Sequence, residues 1–442
     1  MQPLTTHSTS VASSSRARWK ILALLTLISV ITYVDRVNIS VTARQMMPAF
    51  GLTQVQMGYV FSAFVLGYAL CQIPGGWLGD RFGSRRVLAG ALTWWSVFTV
   101  LTALAGTLPT AQWLGILGSL ILIRFLIGVG EAAALPNFNR TVADWLPPRE
   151  RGLGMGVSIG GIGIGSALTP PVVAWMMVNY GWQSAFYASG LVGITIALFW
   201  VWYATDRPEQ HRGVNPAELA LIREASLTST LSPPEPVPWR TFARTPTVWW
   251  LVLSYTGLGY IAYVYMSWFY LYLVDERGFS ILRGALFASG PFIAITVLCP
   301  LGGWITDRLV ASIGVNRGRS RVGCLGMLLS GACIVAGSQA AEPYTAIVLL
   351  SLGAGFLYFT VGAFWAGTID LAPRHAGTLS GIMNTGANIG GTISPTLTPW
   401  LAEHFGWHVS LGVAAGIAVM GGILWLRVKT GDGLRMHADG RR

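Results

Sequence analysis

The chain alternates long apolar runs with short polar segments along nearly all of its 442 residues. Each run is long enough to approach the roughly 20 residues that an α-helix needs to cross a bilayer. Twelve runs stand out: Trp19–Ala43, Val55–Leu78, Val87–Ala105, Trp113–Leu135, Leu153–Val178, Ser184–Tyr203, Val248–Val274, Gly284–Ile305, Val322–Ala340, Tyr344–Leu371, Gly377–Leu401 and Val409–Leu426. The pattern predicts an all-α membrane protein with twelve transmembrane helices, and the even number places both termini on one side.

Composition supports this interpretation, because 53% of the residues are hydrophobic and only 11% are charged. Soluble domains carry about 25% charged residues. The cysteines lie inside apolar runs, where they pack as small side chains rather than forming a disulfide framework. The spans contain no cluster of metal ligands and no Ser/His/Asp arrangement. The sequence therefore predicts no enzyme, no cofactor, no metal site and no nucleic-acid partner.

The basic residues are distributed unevenly between the two sides of the predicted bundle. With the termini in the cytoplasm, 24 of the 29 Lys and Arg residues face that side, whereas Arg44, Arg277 and Arg283 face the other. Basic residues in short loops favour the cytoplasmic side of a membrane. The bias predicts cytoplasmic termini, and it leaves Arg36 and Arg124 inside helices.

A long polar segment, rich in proline near its end, divides the spans six and six. We expect a disordered cytoplasmic N-terminus (residues 1–18), a first six-helix half (19–204), a cytoplasmic linker (205–246), a second half (247–427) and a cytoplasmic tail (428–442). The linker has the composition for a short surface helix around Pro216–Leu227.

The two halves resemble each other at a nearly constant offset, which is the sequence signature of a repeat. At a shift of 225 residues Gly161 coincides with Gly386, Gly165 with Gly390 and Trp182 with Trp407. At a shift of 227 the segment GGWLGDR matches GGWITDR. Two such units with a substrate site between them, near the midplane, are typical of one large class of secondary transporter.

Asp35, Arg36, Arg124 and Glu131 are the Asp, Glu, Lys and Arg residues that fall well inside the predicted spans, whereas Lys20 and Asp370 each lie one residue from a span end. A charge at the bilayer centre costs roughly 2.5–3.5 kcal/mol on insertion scales, so such residues usually mark ion or substrate paths. The alternative is a fixed salt-bridge cluster that only locks helices together. At the 225-residue offset Glu131 aligns with Phe356, so the charges are confined to the first half, which favours a functional role.

The chemistry of these groups predicts one role for the two arginines and another for the two carboxylates. A guanidinium matches a carboxylate with two parallel hydrogen bonds, so Arg36 and Arg124 are candidate anion binders. Asp35 and Glu131 are candidate proton carriers, because burial favours the neutral form of a carboxyl group. Arg124 and Glu131 lie ~10 Å apart along one helix, so a ligand or the first helix is expected between them.

The candidate site residues of the second half are uncharged. Trp365 is an aromatic residue in the tenth span, and Asn384 and Asn388 lie one turn apart on one face of the eleventh. These three are candidate substrate contacts. Helix packing and an interfacial aromatic belt explain the same pattern equally well, so both interpretations stay open.

Taken with these residues, the chain resembles the major facilitator superfamily. The segment GGWLGDRFGSRR matches the signature of that superfamily between its second and third helices. YVDRVNIS and RFLIGVGEAAALPNFNRTVADWLPPRERG further resemble the anion:cation symporter family, which includes sugar-acid, hexuronate and phthalate transporters. The resemblance implies proton-coupled uptake of an organic anion across the bacterial inner membrane, by a monomer.

The resemblance also implies roles for particular residues. Asp35 and Glu131 would couple protons, and Asp80, Arg81 and Arg85 would form a cytoplasmic interlock that stabilises the outward-facing state. The substrate would contact Tyr33, Arg36, Tyr68, Arg124 and Asn384. Sugar-acid members often carry a glutamine in the fifth helix, whereas VSIGGIGIG has no amide there. That departure favours aromatic or less hydroxylated carboxylates.

Three other functions remain open on the sequence. An organophosphate antiporter of this fold is expected to use arginines from both halves, and here both in-span arginines lie in the first. A drug/proton antiporter typically has a Gly-Pro pair in its fifth helix, where this chain has Thr169 followed by two prolines. A membrane receptor would be expected to carry an additional signalling domain, which the linker does not suggest.

Overall fold

The structure is a computed structural model that describes residues 14–223, 239–372 and 376–430. Within them the chain forms seventeen α-helices, a 3-10 turn and a π-helical turn. The helices are α1 (Ala17–Phe50), α2 (Gln54–Phe82), α3 (Ser84–Ala103), α4 (Pro109–Glu131), α5 (Ala134–Trp145), α6 (Pro148–Tyr180), α7 (Trp182–Tyr203), α8 (Pro216–Arg223), α9 (Trp239–Arg244), α10 (Pro246–Leu271), α11 (Ile281–Ala288), α12 (Gly290–Ile313), α13 (Val315–Gln339), α14 (Pro343–Phe359), α15 (Val361–Leu371), α16 (Ala376–Phe405) and α17 (Trp407–Trp425).

The twelve predicted spans correspond to these helices, and the all-α membrane fold is confirmed. Among the described residues, eleven helical segments are long and apolar enough to cross a membrane. Three of them are interrupted, so that α4–α5, α11–α12 and α14–α15 each make one crossing. The helix α16 is 30 residues long and occupies the remaining predicted position. Its apolar run is broken by Asn384 and Asn388.

Glycines at equivalent positions of the two units make the same close helix contacts. A Cβ atom on Gly161 or Gly165 of α6 would come within 2.6 Å of a carbonyl oxygen of α1. A Cβ atom on Gly386 or Gly390 of α16 would come within 2.7 Å of Thr256 in α10. Small residues allow such close approach where no hydrophobic effect drives helices together. The sequence repeat is therefore a repeat of packing as well.

The two units meet near one end of the bundle, which we call the Gly51 end because the turns at Gly51, Gly278 and Gly406 lie there; the opposite end is the Ala17 end. The contacts there include the ion pair of Arg44 with Asp275 (2.7 Å), the hydrogen bond between the Ser62 and Thr396 hydroxyls (3.0 Å), the bond from Ser289 Oγ to the Ala167 carbonyl (2.6 Å), and the packing of Gly58 on Pro395.

The first part of the linker packs against the first unit. The carboxylate of Glu218, in α8, accepts hydrogen bonds from the backbone amides of Ala17 and Arg18, each at 3.2 Å. It thereby satisfies amides that the first turn of α1 leaves unpaired. The predicted surface helix is present up to Arg223, and residues 224–227 lie outside the described residues. Of the predicted N-terminal stretch, residues 14–18 are described, and Ser15 bonds to the Glu218 carboxylate.

Candidate functional site

An ion pair lies at the centre of the first unit. The Nε atom of Arg36, in α1, lies 2.7 Å from Oε2 of Glu131, at the end of α4. The Arg36 side chain is 8% exposed and the Glu131 side chain is fully buried. Charge pairs that are taken out of water need good geometry to offset their desolvation. The short contact supplies it for Oε2, while Oε1 of Glu131 has no hydrogen-bond partner among the described residues.

Arg124 lies beside this pair without joining it. Its Nη1 atom donates to the backbone carbonyl of Asp35 at 3.4 Å, and its Nε has no partner among the described residues. The guanidinium carbons of Arg36 and Arg124 lie 5.1 and 4.8 Å from the centre of the Phe64 ring. Of the two alternatives that the seven-residue spacing left open, a ligand or the first helix, α1 contacts both Arg124 and Glu131 here. The Nε–H donor of Arg124 is therefore left without an acceptor among the described residues.

Asp35 points away from its neighbour Arg36, into the packing of the first unit. It is 1% exposed and lies next to Ser189 of α7 and Trp95 of α3. Neither carboxylate oxygen has a hydrogen-bond partner of normal geometry in the described chain. Burial without a hydrogen-bond partner is costly for an ionised carboxylate.

Two cavities lie on either side of Arg36. One, of about 20 Å³, is lined by residues of both units, including Arg124 of α4 and Tyr263 of α10. The other, of about 10 Å³, lies within the first unit and is lined by Tyr33 and Glu131. Arg36 lines both cavities, whereas its partner Glu131 lines the second one.

Aromatic rings cover the Arg36 guanidinium. Its central carbon lies 4.8 Å from the centre of the Tyr33 ring and 4.5 Å from that of Tyr68. Such rings attract a cation through their negative faces. The predicted substrate residues of the first unit are therefore brought together: Tyr33, Arg36, Tyr68 and Arg124.

The three candidates of the second unit are placed differently. Asn384 approaches the first unit, since its Nδ2 lies 3.5 Å from Oε1 of Gln72. The Trp365 indole donates to the Tyr255 hydroxyl at 3.0 Å. Asn388 is 7% exposed, and its Nδ2 has no partner among the described residues. Of the three, Asn384 lies nearest to the group around Arg36, because its partner Gln72 bonds to Tyr68.

Sequence reasoning missed Gln72 and Tyr263. Gln72 lies four residues after Tyr68, on the same face of α2, and a glutamine inside an apolar run was the available signal. Tyr263 lies in a span that contains several aromatic residues, and the sequence pattern does not distinguish it from the others. Its place in the cavity beside Arg124 depends on how the second unit docks against the first.

The predicted interlock residues lie at the Ala17 end, apart from this cluster. The Arg81 guanidinium is exposed and lies 5.4 Å from the Trp77 ring. The backbone amide of Arg85 donates to Asp206 Oδ1 at 2.9 Å, at the start of the linker. The side chain of Asp80 lies outside the described residues. The bond between Arg85 and Asp206 joins the start of α3 to the end of the first unit.

Comparison with known proteins assigns a family. The family model described as Major Facilitator Superfamily matches residues 25–395 and 368–436. A probable sulfoacetate transporter, SauU, of Cupriavidus necator is 36% identical over 372 residues, covering 84% of each chain. The probable galactarate/D-glucarate transporter GudP of Escherichia coli K12 is 33% identical over 393 residues, covering 86% of each. A D-galactonate transporter of Escherichia coli O6:H1 is 34% identical over 394 residues, covering 85% of this chain and 87% of the relative.

Solved structures agree with the fold. A bacterial homologue of the human lysosomal transporter Spinster, in an inward-facing, unoccupied conformation, superposes with a TM-score of 0.74 at 20% identity, over 94% of this chain and 99% of that one. A D-xylose-proton symporter gives a TM-score of 0.75 at 16% identity, over 93% and 98% of the two chains.

Proposed function

Because the chain belongs to the major facilitator superfamily, we propose that it is a proton-coupled symporter that imports a small organic acid anion. The anion is a carboxylate such as a sugar acid, a hexuronate or an aromatic acid. The observation that carries the proposal is the buried Arg36–Glu131 pair, with Arg124 beside it and donors still free. Relatives named as transporters of sulfoacetate, glucarate and galactonate support an anionic substrate.

The mechanism follows from the electrostatics of the pair. Protonation of Glu131 removes the negative charge that holds Arg36. The released guanidinium, together with Arg124, then binds the carboxylate of the substrate through a charge-assisted fork. Loss of the proton restores the ion pair and expels the anion. Asp35, buried one residue before Arg36, is the second proton carrier that we propose.

We assign the structure to the state that is closed toward the periplasm. The ion pair of Arg44 with Asp275 and the packing of Gly58 on Pro395 join the units near the Gly51 end. The distribution of basic residues favours a cytoplasmic Ala17 end, with both termini there and the protein in the bacterial inner membrane. Asp80, Arg81 and Arg85 would then act in the opposite, outward-facing state. The site is formed within one chain, which is consistent with a functional monomer.

An organophosphate antiporter is less well supported, because both in-span arginines belong to the first unit. A drug/proton antiporter is less well supported, because two buried guanidiniums suit an anion rather than a cation.

The experiment that tests the function is a thermal-shift titration of the purified protein with four acids of equal carbon number: D-gluconate, hexanoate, D-glucarate and adipate. Phthalate and sulfoacetate extend the panel. A ligand that binds only the folded state raises the melting temperature by an amount that grows with the ratio of its concentration to its dissociation constant. We expect at least one of the six anions to stabilise the protein, and more strongly at pH 6 than at pH 8. Stabilisation by none of them would contradict the proposal.

A further inference from the structure

We propose that Gln72 is a positioning residue that selects substrates with a hydroxyl group close to the anionic head, and that it connects this recognition to the second unit. The inference rests on the proposed function and deepens it. Gln72 lies on α2, between Tyr68 of the first unit and Asn384 of the second.

The first link is with the arginine site. Gln72 Nε2 donates to the Tyr68 hydroxyl at 3.2 Å, and the Tyr68 ring lies 4.5 Å from the guanidinium carbon of Arg36. Because the phenol oxygen already accepts from Gln72, its own proton is left to donate elsewhere. The amide therefore orients Tyr68 as a hydrogen-bond donor next to the group that binds the anion.

The second link crosses to the other unit. Oε1 of Gln72 lies 3.5 Å from Nδ2 of Asn384, at the long limit of a hydrogen bond. A bond of that length is weak and leaves both amides open to a better partner. A hydroxyl group bound between them accepts from Asn384 and donates to Gln72, so that one substrate group joins α2 to α16.

The chemistry of the pair distinguishes a hydroxyl from a second carboxylate. An amide presents both a donor and an acceptor, which matches a hydroxyl group. A carboxylate only accepts, so the Gln72 oxygen would oppose it. The helix α6 presents glycines where an amide was expected from the resemblance, among them Gly160, which has open space around it. Gln72 provides from α2 the amide that α6 lacks.

The test compares two pairs of acids that differ only in their hydroxyl groups: D-gluconate with hexanoate, and D-glucarate with adipate. Binding is measured by tryptophan quenching on the wild type, on Gln72→Met and on Gln72→Asn. We expect the wild type to prefer the hydroxylated member of each pair. In both variants this preference should fall roughly 2–10-fold, the effect of one neutral hydrogen bond, while hexanoate and adipate affinities stay unchanged.

Two controls separate recognition from a structural role. Gln112→Met, at an exposed glutamine of α4, should leave the preference unchanged. Tyr68→Phe should lower the preference as Gln72→Met does, and the double variant should lose little more, since both changes remove the same chain of bonds.

The outcomes are distinguishable. If none of the six anions of the panel binds the wild type, the proposed function fails and the inference fails with it. If only phthalate or sulfoacetate binds, the proposed function stands and the inference alone is overturned. If the acids bind but the Gln72 variants keep the wild-type preference, only the inference is overturned. An equal loss of affinity for all four acids would also overturn it, because that result indicates a general structural effect.

Discussion

The two six-helix units share one packing scheme but place their charges at different depths. In the first unit Arg36 and Glu131 pair inside the bundle at 2.7 Å. In the second, Arg319 bonds to Asp307 at 3.0 Å and to Asp370 at 2.9 Å, near the Ala17 end. Depth decides what such a cluster costs, because charges far from water lose their hydration. The first unit carries the ion pair whose burial costs hydration energy. The second unit provides aromatic and amide side chains.

The largest effect is expected from changing the geometry of one charge in the first unit. Arg124→Lys keeps the positive charge but removes the planar fork, which cannot be replaced by a point charge. We predict a loss of anion affinity of ~100-fold, about 2.7 kcal/mol, since hydrogen bonds to charged groups contribute ~1.5–3 kcal/mol. Isothermal calorimetry with the best anion of the panel measures it.

The control is Leu349→Ala, at the position of the second unit that aligns with Arg124. It should change the anion affinity less than 2-fold. Similar losses in both variants would mean that the two units contribute alike, and the contrast between them would be lost.

The next largest effect concerns proton coupling. Glu131→Gln removes the titrating group and leaves Arg36 free for the anion. With one proton per anion, a pH gradient of one unit drives accumulation of about 10-fold, equivalent to ~1.4 kcal/mol. We predict that the variant loses this accumulation but still exchanges labelled for unlabelled anion across proteoliposomes.

Phe356→Leu, at the equivalent position of the second unit, should accumulate the anion as the wild type does. Full accumulation by Glu131→Gln would remove Glu131 from the coupling mechanism.

The smallest effect on binding is expected at the ionic cluster of the second unit. Arg319→Ala leaves Asp307 and Asp370 unpaired, so the melting temperature should fall by several degrees, with ~1–3 kcal/mol of stability lost. Anion affinity should stay within 2-fold of the wild type, since the cluster lies away from Arg36. A 10-fold loss of affinity would show that the second unit's charges take part in binding.

The fold was predictable because a bilayer permits few backbone structures within it. Every backbone polar group must be satisfied within the membrane, so apolar runs become helices and their positions can be counted. The packing of Gly161 and Gly386 followed from the repeat, because both units solve one packing problem with small residues. The breaks at Ser289 and Thr360 within single crossings were not visible in the hydrophobic pattern.

The residues of the site could be predicted from the sequence, but the pairing of Arg36 with Glu131 could not. Asp35 and Arg36 are adjacent and point ~100° apart, so spacing alone does not decide which of them meets α4. That depends on the rotation of α1 against α6, which the glycine contacts fix. Gln72 escaped notice because its partner, Asn384, lies in the other unit, and the relation between the two units is not encoded in either one.

The most direct test of the central claim is proton movement itself. Proteoliposomes loaded with a pH-sensitive dye receive the best-binding anion of the panel from outside, and the internal pH is recorded for the wild type and for Glu131→Gln. The account predicts acidification of the interior with the wild type and none with the variant. Uptake of the labelled anion by the wild type without any change of internal pH would contradict it.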